Sequence, residues 1–174
     1  DSLDLSGTFS GAKLQMGTTA GRRISGRFQL RDVLGSPSGT LSMRADSVLV
    51  AGVRLDSASG WMQLAGQAKT TFGVVAHSRN GAVARVSGSA LNTMAVGESG
   101  REITQLAVDT LALEVGKNRW RLVSPARLTR DSTGLGVQSL ELTNSAGGKL
   151  SVRGAAPMNA PVSLELRGDS VPLN

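Results

Sequence analysis

The chain has 174 residues, a length for one domain spanning 1–174, with a formal charge of +6 and a sequence pI near 11. It holds no cysteine and one histidine, His77, which excludes disulfide frameworks, thiol chemistry and zinc sites built on Cys or several His. Aromatic residues are only 3% and glycines number 22, so the apolar mass is spread thinly as Leu, Val and Ala. That suits a long, thin sheet with many turns better than one dense, ring-filled core.

Period-two alternation, the mark of half-buried strands, begins at once. Leu3, Leu5 and Phe9 share one face, and Ile24, Phe28 and Leu30 alternate with Arg23, Gln29 and Arg31. Gly35-Ser36-Pro37-Ser38-Gly39 is a turn. Leu41 and Met43 follow, then Val48/Val50, Val53/Leu55, and a short run opened by Trp61. Residues 70–76 read as a strand running into His77-Ser78-Arg79-Asn80-Gly81, where Asn-Gly predicts a two-residue hairpin with both central residues at positive φ. Ala84 and Val86 share a face in the next strand.

Residues 99–115 admit two descriptions. A helix near 99–110 would use Ser99 as N-cap and Glu102 to complete a capping box. A strand would use Leu106/Val108 and then Leu111/Leu113/Val115, with a phase change at Asp109-Thr110 that demands a bulge or turn. The β neighbours on both sides favour the strand.

The last third is the most regular. Trp120/Leu122, Ala126/Leu128, Leu140/Leu142, Leu150/Val152 and Val162/Leu164/Leu166 are five successive apolar sets, each separated by turn-forming residues. Arg121, Arg127, Glu141, Ser151, Arg153, Glu165 and Arg167 lie between them. One face is apolar and the other charged, strand after strand. A dozen such strands at ~4.8 Å spacing would stack to roughly 55 Å, and a sheet that long must curl, split or close.

The basic residues are scattered. Arg22-Arg23, Arg27 and Arg31 form the one local concentration, and the three odd-numbered ones would line one face. No aromatics are interleaved with them, so single-stranded nucleic acid is not the expected partner, and a solvated polar face is. The chain opens directly into alternation at Leu3-Asp4-Leu5-Ser6, without a signal peptide, and stops in mid-pattern at Val171-Pro172-Leu173-Asn174. It reads as an internal stretch of something longer, and no apolar run approaches membrane-spanning length.

The segments Leu106-x-x-x-x-Leu111-x-Leu113 and Asn118-Arg119-Trp120-Arg121-Leu122-Val123-Ser124-Pro125-Ala126 resemble those of the TamB/AsmA-like family. So do Gly134-Leu135-Gly136-Val137-Gln138-Ser139-Leu140-Glu141-Leu142 and Gly147-Gly148-Lys149-Leu150-Ser151-Val152-Arg153-Gly154. The resemblance covers roughly residues 100–170, with Gly39-Thr40-Leu41-Ser42-Met43-Arg44-Ala45-Asp46 similar to another of the family's strands. It implies a long β-groove with a hydrophobic inside, anchored in the inner membrane and crossing the periplasm of a Gram-negative bacterium. It further implies phospholipid movement toward the outer membrane, or assistance in outer-membrane assembly. Pairing with an insertase-type outer-membrane barrel would go through parts of the protein outside this segment.

Enzymatic chemistry finds no footing. His77 has no G-x-S-x-G elbow to serve, and its place near a turn predicts exposure. Asp46, Asp56, Asp109 and Asp131 are expected beside turns, bonded to their own backbone. No phosphate-cradling or dinucleotide fingerprint opens a helix, and neither metal nor cofactor is expected.

The expected fold is therefore all-β: an elongated, curved antiparallel sheet, of β-taco, groove or open-barrel type. The expected site is its apolar face, with Trp120, Leu122, Leu128, Leu140, Leu142, Leu150, Val152, Leu164 and Leu166 contacting phospholipid acyl chains. Leu142 and Leu164 are the positions where Asp should block lipid. The rival expectation is a structural or adhesive β-solenoid segment of a secreted surface protein, with a sealed core.

Overall fold

The computed structural model describes residues 2–16, 19–50, 53–66, 69–94, 102–131, 134–157 and 163–170. Within them the chain is all-β, and every described strand pairing is antiparallel. No helix of the described residues is long and apolar enough to cross a membrane. The chain divides into two compact units, Asp1–Arg85 and Val86–Asn174.

The first unit is a meander of β1 (Leu5–Met16), β2 (Thr19–Arg31), β3 (Ser38–Val50), β4 (Val53–Ala65) and β5 (Lys69–His77), each paired with the next. The expected turn at 35–39 falls in the loop between β2 and β3. There Asp32, at φ 50°, accepts the Ser36 N–H at 2.9 Å on its carboxylate. β6 (Val83–Met94) contains the boundary between the units.

The turn after β5 differs from the two-residue hairpin that Asn-Gly suggested. Ser78 N–H donates to Ala82 O at 2.8 Å and Gly81 N–H to Ser78 O at 3.0 Å, and only Gly81 has positive φ, at 82°. This is a three-residue loop, Arg79-Asn80-Gly81, in which one left-handed residue closes the turn. The Ser78 hydroxyl bonds the Asn80 side chain, tying Asn80 into the loop. The same construction recurs at Ser145-Ala146-Gly147, with Asn144 N–H on Gly148 O at 2.9 Å and Gly147 at φ 85°.

The second unit contains β7 (Glu102–Val115), β8 (Asn118–Leu122), β9 (Ala126–Asp131), β10 (Gly134–Asn144), β11 (Lys149–Pro157) and β12 (Ser163–Asp169). Residues 102–115 are strand, so the helix alternative is not formed there; Ser99 lies outside the described residues. β8 and β9 lie between β7 and β10, each pairing with both, and β11 and β12 extend the sheet.

The pattern breaks at one level across β7, β8, β9 and β10. β8 and β9 are separated by Val123-Ser124-Pro125, β10 shifts register between Val137 and Leu140, and in β7 Asp109 and Thr110 are both exposed. The phase change expected at Asp109-Thr110 is thus present, inside one continuous strand. Pro125 has no N–H to give a ladder, so the pairing must yield there, and the strands on either side absorb the slip as bulges. Val123 N–H donates to Glu141 O at 2.8 Å across the break.

The first unit has a break of its own, between β2 and β3. The β2–β3 register shifts on both sides of Arg22, and Arg23 and Ser47 have φ of 45° and 52°. Asp46, Asp56 and Asp109, expected beside turns, lie within strands instead, Asp46 and Asp109 at these irregularities. Asp131, the last residue of β9, alone sits at a strand end.

Each unit has a small core. Ile24, Ala45 and Val48 are buried in the first, with Leu55 and Ala58 packed against them. In the second, Val108, Ala126 and Leu142 are buried, and Val108 stands opposite Ala126 in the ladder. Ala126 is 1% exposed, yet no large described side chain falls below 2%. This is not the sealed core of a solenoid, and stacked coils would pair parallel strands where these pair antiparallel.

Candidate functional site

Residues directly opposite in an antiparallel ladder project from the same face, so register decides which side chains meet. Leu142 of β10 faces Leu122 of β8 on one side and Leu150 of β11 on the other. One step along, Leu140 faces Val152, which faces Leu166 of β12. Trp120 stands between Leu113 and Asn144. Past the β10 bulge, Leu128 lies between Leu106 and Val137, and Val137 opposes Gly154, which keeps it on the face of Val152 and Leu150. Leu164 takes the register position opposite Gly154. The ladder therefore gathers the expected residues into one apolar surface; the bulge lets odd-numbered Val137 join even-numbered neighbours.

The other face carries the charge. Arg121 opposes Thr143, Glu141 opposes Ser151, and Ser151 opposes Arg167. Arg153 opposes Glu165, and the Arg167 guanidinium grips Glu165 Oε1 from Nη2 at 2.6 Å and Nε at 2.7 Å.

Exposure is uneven across the apolar face. Leu142 is 6% exposed and Leu166 67%, with Trp120, Leu122, Leu128, Leu140, Leu150 and Val152 intermediate. Asn144, the polar member of the row, is buried; its Oδ1 accepts the N–H groups of Ala146 at 3.0 Å and Gly148 at 2.7 Å, while Nδ2 has no partner.

The first unit carries a second apolar surface that the sequence reading did not list as a site. Its ladder makes four rows across β1 to β5. Gly7-Phe28-Leu41-Met62-Phe72 is one, and Phe9-Gly26-Met43-Gly60-Val74 the next. Leu5-Leu30-Gly39-Leu64-Thr70 and Gly11-Ile24-Ala45-Ala58-Ala76 flank them. Phe9, Met43, Met62 and Val74 are all exposed. The signal lay in the pairing of large residues with glycines on neighbouring strands, which is invisible without the register.

On the reverse side of that sheet, Arg27 opposes Thr8 and Ser42, and Arg31 opposes Ser38. Asp46 lies 3.7 Å from both the Arg23 and Arg44 guanidinium Nε atoms, exposed contacts that add little to stability. Trp61 belongs to this polar side, its indole lying over Gly73. His77 ends β5 opposite Ser57 and is exposed. No group of three or more His, Cys, Asp or Glu capable of holding a metal is found among the described residues.

Comparison with family models, with curated proteins and with solved structures returns no match. The resemblance to the TamB/AsmA-like family therefore rests on the strand pattern quoted above and on nothing broader.

Proposed function

We propose that this chain is a passive stretch of lipid conduit, whose apolar faces receive phospholipid acyl chains passing between the inner and outer membranes. The observation that supports this most is a sheet face built of Phe, Leu, Met and Val rows left half-exposed instead of sealed. Contiguous exposed apolar surface of this kind marks an interaction site in a soluble chain. Acyl chains suit it because their burial needs no directional partner and yields roughly 0.8 kcal/mol per CH₂. Rows without deep side-chain pockets let a chain slide along the surface. In this proposal the chain is not an enzyme and works without cofactor, in the periplasm, as part of an inner-membrane-anchored protein of a Gram-negative bacterium. An insertase-type barrel would meet other parts of that protein.

The test is native mass spectrometry of the protein exported to the periplasm of a Gram-negative host. Copurifying phospholipid, reduced in Met43→Asp and in Leu166→Asp while circular dichroism stays that of folded β-sheet, is the expected result. Lipid-free protein that also fails to take up lipid from vesicles would sink the proposal.

A further inference from the structure

A cleft at one end of the first unit collects charge that the sequence scatters. Lys13 from β1, Arg22 from β2, Arg54 from β4 and Arg79 from the loop after β5 line it together. Among the described residues the only carboxylate in the lining is Asp56, so four cations against one anion leave a local charge of +3 there. Lys13 and Arg22 are direct ladder partners, held side by side despite like charge. None of the four cations is in an ion pair among the described residues. All four are exposed, so their head groups are free to converge on a ligand.

Part of the lining is apolar and is continuous with the apolar rows of the first unit. Val48 and Leu55 line the cleft and also pack in the cluster with Ile24, Ala45 and Ala58, which form one row of the apolar face. The break at Ser47 (φ 52°) sets this apolar part: it turns the strand so that Val48 joins Ile24 and Ala45 in the core. Cations and aliphatic side chains in one lining, with the apolar rows of the same unit alongside, match an amphiphile with a negative head. Among the described residues no aromatic ring lines the cleft, so none of them would stack a nucleobase.

We infer that this cleft holds the phosphate of an anionic phospholipid head group, with Lys13, Arg22, Arg54 and Arg79 as its ligands and the acyl chains running onto the neighbouring apolar rows. The inference rests on the lipid-conduit proposal and adds selectivity to it. A zwitterionic head brings its own ammonium into a cleft of net positive charge and is disfavoured; phosphatidylglycerol brings only the phosphate. Guanidinium groups, with planar paired donors, are the side chains best suited to grip it.

The full chain is incubated with vesicles of equimolar phosphatidylcholine and phosphatidylglycerol, and the lipid bound after separation is quantified. Phosphatidylglycerol should be enriched about tenfold over phosphatidylcholine, with the preference falling as salt rises. Arg22→Gln with Arg54→Gln, both exposed positions, should return the ratio to that of the vesicle. Met43→Asp should lower the amount of both lipids while keeping the ratio. An unbiased ratio in the wild type, or a bias that survives the double substitution, overturns the inference and leaves the conduit proposal standing. If no lipid of either kind binds, the conduit proposal itself has failed. Titration with glycerol phosphate then separates the sources: uptake by the wild type and not by the double variant would replace the lipid head with a soluble phosphate ester. No uptake would leave no phosphate site at all.

Discussion

The ring of Phe9 lies over Gly26 on the neighbouring strand so closely that a Cβ there would come 2.4 Å from the ring Cζ. The same Cβ would sit 2.6 Å from the carbonyl oxygen of Ser42 on the far side. The glycine gives the aromatic ring room to lie flat on the sheet and turn its outer side to the lane. Phe28 does the same over Gly7, at 3.1 Å. Few aromatics therefore cover much of the face, which is how a chain with 3% aromatic content builds a broad apolar surface.

Gly26→Ala should cost about 2 kcal/mol, because the ring can swing aside but the Ser42 carbonyl belongs to the ladder. Gly11→Ala is the control, since nothing lies within 4 Å of its Cβ position. Urea midpoints of the two variants should separate clearly; equal midpoints would mean that the Phe9–Gly26 contact does not constrain the sheet.

Gly39 is more demanding. Its φ is 147° and a Cβ would stand 2.0 Å from Gln29 O, so Gly39→Ala combines strain with a backbone clash. A loss of about 3 kcal/mol or more is expected. Gly81→Ala meets open space but keeps φ at 82°, and should cost only about 1–2 kcal/mol. Thermal denaturation of both ranks them, and the reverse order would contradict the described β2–β3 register.

The two leucines that differ most in exposure divide folding from binding. Leu142→Asp puts an unpaired charge between Leu122 and Leu150 and should cost about 3–5 kcal/mol. Leu166→Asp, on the exposed strand β12, should change stability by only about 0.5 kcal/mol while reducing lipid uptake. Denaturation and vesicle-uptake assays on both variants check this. The Leu142 substitution suggested by the sequence alone is thus the poorer probe of lipid contact.

Asn144→Ala removes the acceptor for two backbone N–H groups, those of Ala146 and Gly148, and should cost about 2 kcal/mol. Faster amide exchange at Ala146 and Gly148 is the local readout, and unchanged exchange there would show that the turn holds itself.

Alternation alone made the all-β class legible, and it also marked the phase change at Asp109-Thr110 and the apolar membership of Leu122, Leu140, Leu150 and Val152. These follow from a period of two, which each strand carries within its own residues. The three-residue loop at Arg79-Asn80-Gly81 was misread because loop length depends on where the flanking strands pair, not on the Asn-Gly pair itself. Register decided the rest. It separated buried Leu142 from exposed Leu166, set Phe9 over Gly26, aligned the break at Val123-Ser124-Pro125 with the bulge in β10, and brought Lys13, Arg22, Arg54 and Arg79 around one cleft. The physical reason is that a side chain's face is a property of one strand, whereas its neighbours belong to the strand alongside. Only hydrogen bonding between strands, with its bulges, fixes which of them meet.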